Sequence, residues 1–503
     1  MLRENENIRI VMNTSCLDAR VENGVIKSVT GWQMTTYKYI DVTAKIFCDC
    51  SGDSILAPLV GAEYKHGREG IEEYNETLAQ EKEDGRTMGM SVLLAARETD
   101  HYVRFTPPAF ANVYETDEDF AIDMGEDKAQ QIRDHEIGTS KCNLWWVELG
   151  GEGHSIYDAD RVRDELLCCI YGVWDHIKNR GDHGMDNWEL EWVGALPGKR
   201  ESRRYVGDIV ITEQDLLSGG KFEDEIAYGG WPLDDHNPYG MRKNSESNSA
   251  SRMINLADIY GLSLRALYSK NISNLMFAGR NISVSHVALS STRVMGTCSL
   301  LGEAMGTAAA LCINMNISPR ECAKDHYKTV QRKLIDGGVF LPHLKKEYSP
   351  IIKNAKFNIS DEEKATLFNG VERPRSKEDE NGIWLKVGGE LSFSMEKEER
   401  IAKIRLQLDP DYKRKSISDN MKMRIYAMKL HTGKDFNPVR VVDTIVKDLD
   451  LIVDGEVVYS LRDNFRSLIT LPVNKKAKDI TIKFISTNGN ERVHIFGIDL
   501  QED

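Results

Sequence analysis

Residues 274–311, NLMFAGRNISVSHVALSSTRVMGTCSLLGEAMGTAAAL, decide how this chain is read. The apolar run from Leu275 to Ala278 reads as a short strand that meets Gly279-Arg280. A polar loop with one histidine, His286, follows, and then Ser291-Thr292-Arg293. The next segment reads as a helix. Its small residues, among them Gly296, Gly302, Ala304 and Gly306, let another backbone or a flat ligand approach closely. The N-terminus of such a helix turns free N–H groups and partial positive charge toward whatever lies in front of it.

Residues 45–61, KIFCDCSGDSILAPLVG, give a second strand-to-helix passage. An apolar strand ends in Ser51-Gly52-Asp53, and Asp53 stands where it would cap the helix that follows. Taken alone, this is an ordinary capped turn.

Together the two stretches resemble the FAD-dependent oxidoreductases with two dinucleotide-binding-type motifs, in the bacterial branch found near carbohydrate-degrading enzymes. The likeness rests on an ordered series: GR, S-x-x-H-x-A, S-T-R-V-M-G-T-C and G-E-A-x-G-T-A-A, with the S-G-D turn upstream, where the family usually has T-G-D. It extends over roughly residues 1–340. It implies FAD as cofactor, with Ser51, Gly52 and Asp53 on the adenosine side and Gly279, Arg280, Ser291, Thr292, Gly296, Gly302 and Gly306 along the flavin. It also implies hydride transfer from a hydroxylated small molecule of the sugar or polyol class.

One family feature is missing. No G-x-G-x-x-G loop follows a strand near the start of the chain, although that loop normally cradles the FAD pyrophosphate. The chain opens with Ile8 to Met12, read as a strand, and a β-hairpin turning at Asn23-Gly24. The expectation is a family member without its first βαβ unit, either truncated or completed by a second polypeptide.

The fold class expected is therefore an N-terminally incomplete, Rossmann-like α/β flavoprotein with an inserted α+β substrate domain and a C-terminal all-β sandwich. The divisions are residues 1–61 and 254–340 for the FAD-binding part, 62–253 for the insertion, 341–380 for a charged linker and 381–503 for the sandwich. Alternating apolar and polar runs at 383–387, 401–408, 423–430 and 480–485 carry the last assignment. A galactose-binding or discoidin-like module has this pattern, and a sugar-binding role for it is fold analogy only.

The chain has 503 residues and a net charge of −14, which argues against a nucleic-acid binder. No uninterrupted apolar run reads as a membrane span, and no signal peptide opens the sequence. Nine cysteines, with no zinc spacing, read as reduced buried thiols and point to the cytoplasm. No metal site is expected.

The chemistry is expected in two places. Residues 198–238 contain Arg200, Glu201, Arg203 and Arg204, a set able to form a buried ion-pair lattice, and then His236 in a loop rich in Gly, Pro and Asp. Oxidation of an alcohol needs a base for the hydroxyl proton, and His236 and His286 are the two candidates. Arg293 would stabilise negative charge on the reduced flavin or hold a substrate oxygen. The other ten histidines, including His66 and His154, are read as structural or exposed. Two alternatives stand beside the oxidoreductase: a silent remnant whose sandwich serves binding or assembly, and a polysaccharide lyase, for which no base pair is found.

Overall fold

The computed structural model describes residues 2–116, 119, 147–180, 183–242, 251–374, 376, 378–412 and 441–501. The alternating run expected at 423–430 lies outside the described residues. The chain forms two compact units that meet in sequence at Leu334 and Ile335.

The first unit opens with the antiparallel strands Thr14–Glu22, Val25–Gln33 and Lys38–Val42. Their first turn is Asn23-Gly24, with φ of 53° and 71°, the positive values a two-residue hairpin requires. Residues 8–12 are not a strand; Ile8, Ile10 and Met12 are exposed and have no sheet to alternate against. The strand Phe47–Asp49 then pairs in parallel with Leu275–Phe277, so the two decisive stretches of sequence lie side by side. Asn274 ties them to the hairpin: its amide accepts from the Ile26 N–H and donates to the Ile26 carbonyl, both at 2.9 Å.

The helix after the S-G-D turn is Leu56–Val60, and Asp53 does not cap it. Buried Asp49 does that work, accepting from the N–H groups of Ser51 (2.8 Å) and Leu56 (3.0 Å) and from the Tyr205 hydroxyl (2.6 Å). Asp53 is drawn away by cations described below.

The insertion contributes the helix Ala159–Asp175, which buries Val162, Leu166, Ile170 and Val173 against Met90, Val92 and Leu94, as its apolar spacing predicts. The insertion does not separate as a compact unit. Its expected end at residue 253 falls within the strand Ser251–Ile254, which pairs with Leu233–His236.

The small-residue segment is two helices, His286–Thr292 and Met295–Met315, broken at Arg293-Val294. The long one has enough length and apolar character to cross a bilayer, but its Leu301, Ala304, Met305 and Ala308 side is buried and it packs on the strands Glu225–Gly229 and Leu275–Phe277. Asn316, at φ 56°, ends it in the left-handed conformation. Two further helices follow, Pro319–Asp325 and Tyr327–Asp336.

The second unit is an antiparallel sheet in the order Ile383–Lys386, Arg492–Gln501, Glu390–Leu408, Leu468–Thr487, Val446–Val453 and Glu456–Leu461, with Lys356–Phe357 added beside Glu390–Leu408. The two longest strands shift register at Ser394/Glu399 and Ile401/Lys403. The segment 341–380 is not a linker. It carries the helices Pro350–Asn354 and Asp361–Leu367, and Tyr348, Ile352, Ala355 and Leu367 belong to the core of this unit. Its charged residues mislead because those of the short helices lie outward, while Lys346 and Glu372 are held in ion pairs with Asp499 and Arg405. Leu367→Ala is expected to destabilise the unit by about 2–5 kcal/mol, the usual cost of emptying a packed leucine site. Chemical denaturation followed by circular dichroism measures it, and a change near zero would restore the linker description.

Candidate active site

Arg204 lies at the centre of the first unit and is 1% exposed. Its guanidinium is ion-paired with Glu201 and with Glu69 (2.6 Å), and it donates to the carbonyls of Val284 (3.0 Å) and Gly67 (2.9 Å). Glu69 and Glu201 then reach His286: Glu69 accepts its backbone N–H at 2.8 Å, and Glu201 faces its Nδ1 at 2.9 Å. Asp235 faces its Nε2 at 2.9 Å and is itself paired with Arg252. Of the lattice expected from Arg200, Glu201, Arg203 and Arg204, the Glu201–Arg204 pair is present and extends through the histidine, while Arg200 pairs with Glu148 at 3.2 Å and Arg203 donates to the Tyr157 hydroxyl.

His286 is therefore neither in a polar loop nor available as a base. It stands in the first turn of a helix, 2% exposed, with a carboxylate on each ring nitrogen. Burial alone would discharge it, but Glu201 and Asp235 overcome burial and hold its pKa at about 10. Against burial, His286 and Arg252 hold Asp235 down to about 2. His286 is an imidazolium clamp at neutral pH.

His236 is on the strand Leu233–His236, not in a loop, and is likewise paired twice: Nδ1 with Glu148 at 2.8 Å and Nε2 with Asp234 at 3.1 Å. Burial opposes its charge, and these carboxylates raise its pKa in spite of burial. Burial also opposes the Glu148 charge, and Arg200 with His236 more than offsets it. Asp234 and His236 point to one side of the strand and Asp235 to the other. The two histidines thus belong to opposite faces of one strand and do not bracket a common substrate as expected.

Arg293, at the break between the two helices, is held loosely, 3.4 Å from both the carbonyl and the carboxylate of Asp234. Its Nε is buried without a partner, as are Thr292 Oγ1, Arg280 Nε and Asn281 Oδ1. Burial and then the nearby Arg200 lower the Arg293 pKa. Both Arg280 and Arg293 bear on Cys298, in the first turn of the Met295–Met315 helix. Gly296, Gly302 and Gly306 meet nothing within 4 Å where a Cβ would project, so this face of the helix is open. Gly279 has φ 115°, a conformation favouring glycine.

Arg280 pairs with Asp53 at 2.8 Å, and Lys199 pairs with Asp53 from the other side. The Ser202 hydroxyl donates to Asp53 at 2.8 Å and to the Gly52 carbonyl at 3.1 Å. Ser51 accepts from the Ile55 N–H at 3.1 Å. Ser291 is committed inward, to Tyr260 at 2.6 Å and to the Trp231 carbonyl. Of the sequence-predicted residues, Arg280, Thr292, Arg293 and the three helix glycines present free atoms or open space. Ser291, His236 and His286 are already engaged.

Sequence reading missed Asp49, Glu69 and the pair His66 and His154. The pair is stacked, with ring centroids 4.2 Å apart and planes 5° from parallel. Only the fold brings residues so far apart in sequence together.

The charge state of His286 makes stability pH-dependent. Its pKa is about 10 in the fold and about 6.5 in an unfolded chain. The stabilisation is complete below about pH 6.5 and is lost as pH rises through about 10. The melting temperature is expected to fall between neutral pH and pH 10, and to fall less steeply in His286→Gln. Equal slopes in the two proteins would show that this group is not charged in the fold.

No curated protein matches the chain. Among solved structures, the family 32 carbohydrate-binding module of Streptococcus pneumoniae EndoD is 16% identical, covering 31% of this chain and 100% of that one, with a TM-score of 0.22. A two-domain protein of unknown function from Bacteroides fragilis is 12% identical, covering 31% of this chain and 44% of that one, with a TM-score of 0.21. At these scores nothing about activity follows. The family described as FAD dependent oxidoreductase matches residues 1–334, and the chain belongs to that family.

Proposed function

We propose that this FAD-dependent oxidoreductase oxidises a hydroxylated small molecule of the sugar or polyol class. Bound FAD supplies the hydride acceptor. The observation that carries the reading is the set of buried polar atoms without partners at the start of the Met295–Met315 helix: Arg293 Nε, Thr292 Oγ1, Arg280 Nε and Asn281 Oδ1. A buried donor or acceptor left unpaired costs roughly 1–3 kcal/mol, so four such atoms fit a polar planar ligand. Arg293 would hold negative charge at the flavin, and the open Gly296, Gly302 and Gly306 face would admit it or a neighbouring backbone.

The phosphate end is different. Among the described residues, the strand Phe47–Asp49 pairs on one side only, in a parallel sheet of two strands. Parallel sheets are stable when covered on both faces and extended by neighbours. Another polypeptide segment bringing a strand, a Gly-rich loop and a helix would complete both the sheet and the phosphate cradle.

Two outcomes test these readings. This chain alone is expected to retain FAD weakly or not at all after desalting, and to become stoichiometrically yellow when a polypeptide carrying a G-x-G-x-x-G strand–loop–helix is supplied. Stoichiometric FAD on this chain alone would refute the need for that segment. Anaerobic mixing of the loaded protein with a panel of sugars and polyols should bleach the visible flavin absorbance with at least one of them. No bleaching across the panel would refute the substrate class.

Gly302→Val separates packing within the chain from packing against something added. A Cβ there meets nothing within 4 Å, so the melting temperature of this chain should hardly change, in keeping with helix-propensity differences of less than about 1 kcal/mol. FAD retention in the completed protein should be lost. A destabilised chain, or unchanged FAD retention, would show that the open face has another role.

A further inference from the structure

His66 and His154 belong to neither charge cluster. His154 is fixed by its surroundings: its Nδ1 accepts from the N–H groups of Ile156 (3.2 Å) and Tyr157 (3.3 Å), so its proton sits on Nε2. Tyr157 lies against its ring with centroids 4.2 Å apart, and Arg203 donates to the Tyr157 hydroxyl at 3.0 Å. His66 lies on His154, and its buried Nε2 has no hydrogen-bond partner. Burial first, and then His154, lower its pKa to about 4, so the ring is neutral in ordinary buffers. A neutral, stacked imidazole with an unused buried nitrogen carries an uncompensated desolvation cost, which a hydroxyl-bearing ligand removes.

The surroundings specify the ligand further. His66 lines a cleft of about 340 Å³ with Lys65, Arg68, Glu69, Glu73 and Asp84. Gly67, at φ 89°, lets the turn lie directly against Asp84: a Cβ there would meet the Asp84 carbonyl. Two of the pairs are internally neutral, Lys65 with Glu73 and Arg68 with Asp84. Glu83, which also lines the cleft, and Glu69 are carboxylates, and Glu69 already faces Arg204. Such walls offer many donors and acceptors, little apolar surface and an excess of acid. They suit an uncharged polyhydroxylated molecule better than a sugar acid.

We propose that His66, held in place by His154, forms a hydroxyl-binding subsite for a neutral polyhydroxylated ligand in this cleft. The subsite rests on the reading of the enzyme as a polyol or sugar oxidoreductase and adds where that substrate is gripped. His66 Nε2 exchanges a hydrogen bond with a ligand hydroxyl, and His154 is a positioning residue.

The test is a titration of the full chain carbon-13 labelled at histidine Cε1, followed by NMR. The His66 signal is identified by its loss in His66→Gln, and the His154 signal by its loss in His154→Gln. Sorbitol, xylitol, glucose and gluconate are the probes. At least one neutral probe should shift the His66 signal saturably, shift His154 less and leave His343 unmoved, while gluconate should bind more weakly. His66→Gln should weaken that probe by about tenfold in calorimetry, the effect of one lost hydrogen bond, with an unchanged melting temperature. If no probe moves the His66 signal, or if gluconate is preferred, the subsite is wrong. A probe oxidised by the FAD-loaded protein without moving His66 overturns the subsite and leaves the oxidoreductase reading standing. A probe that moves His66 and is not oxidised supports the subsite and counts against the substrate class.

Discussion

The buried charge of His286 is what the rest of the first unit is arranged around. One imidazolium is held between Glu201 and Asp235, and Glu201 is shared with Arg204, which also takes Glu69. These residues come from the turn after Tyr64–Lys65, the R-E-S-R-R stretch, the strand Leu233–His236 and the helix His286–Thr292. Four segments distant in sequence are thus fixed by one set of ion pairs. Buried ion pairs add little net stability over apolar packing, but breaking one is expensive, about 3–5 kcal/mol, because a charge is left unpaired. The lattice therefore specifies how the insertion returns to the FAD-binding part more than it stabilises the fold.

That arrangement also divides the labour among the cations. His286 and His236 each hold two carboxylates and have no ring nitrogen left for substrate. Arg293 is the opposite case, buried but weakly held, with an unpartnered Nε beside a helix N-terminus. Arg200 is satisfied by Glu148 at 3.2 Å, whereas Arg293 is held only at 3.4 Å by Asp234, so of the two it is Arg293 that has room for further negative charge. A flavin that becomes more electron-rich on reduction supplies that charge.

Much of this was legible in the sequence where the signal was local. The hairpin at Asn23-Gly24 follows from turn chemistry, and the strand-to-helix passage at residues 45–61 from its apolar run. The ordered motif in residues 274–311 also located the strand and the long helix that flank the candidate site, although the helix His286–Thr292 reads as a loop in the sequence. What could not be read was partnership across sequence distance. His286 looks like a base in a polar loop until Glu201 and Asp235 are seen on its two nitrogens. Asp53 looks like a helix cap until Lys199 and Arg280 claim it, leaving Asp49 to cap the helix. The residues between 341 and 380 look like a linker because short capped helices carry their charges outward while Ile352 and Leu367 turn inward. His66 and His154 carry no motif at all and become a pair only in the fold.

The central claim is that Arg293 faces the cofactor and stabilises its reduced form. Spectroelectrochemical titration of the FAD-loaded protein and of Arg293→Met tests this most directly, because a midpoint potential reports the charge beside the flavin without requiring a known substrate. The account predicts a lower potential for FAD bound to the methionine variant, since the favourable cation is gone while the shape is nearly kept. Identical potentials in the two proteins, at equal FAD occupancy, would contradict it.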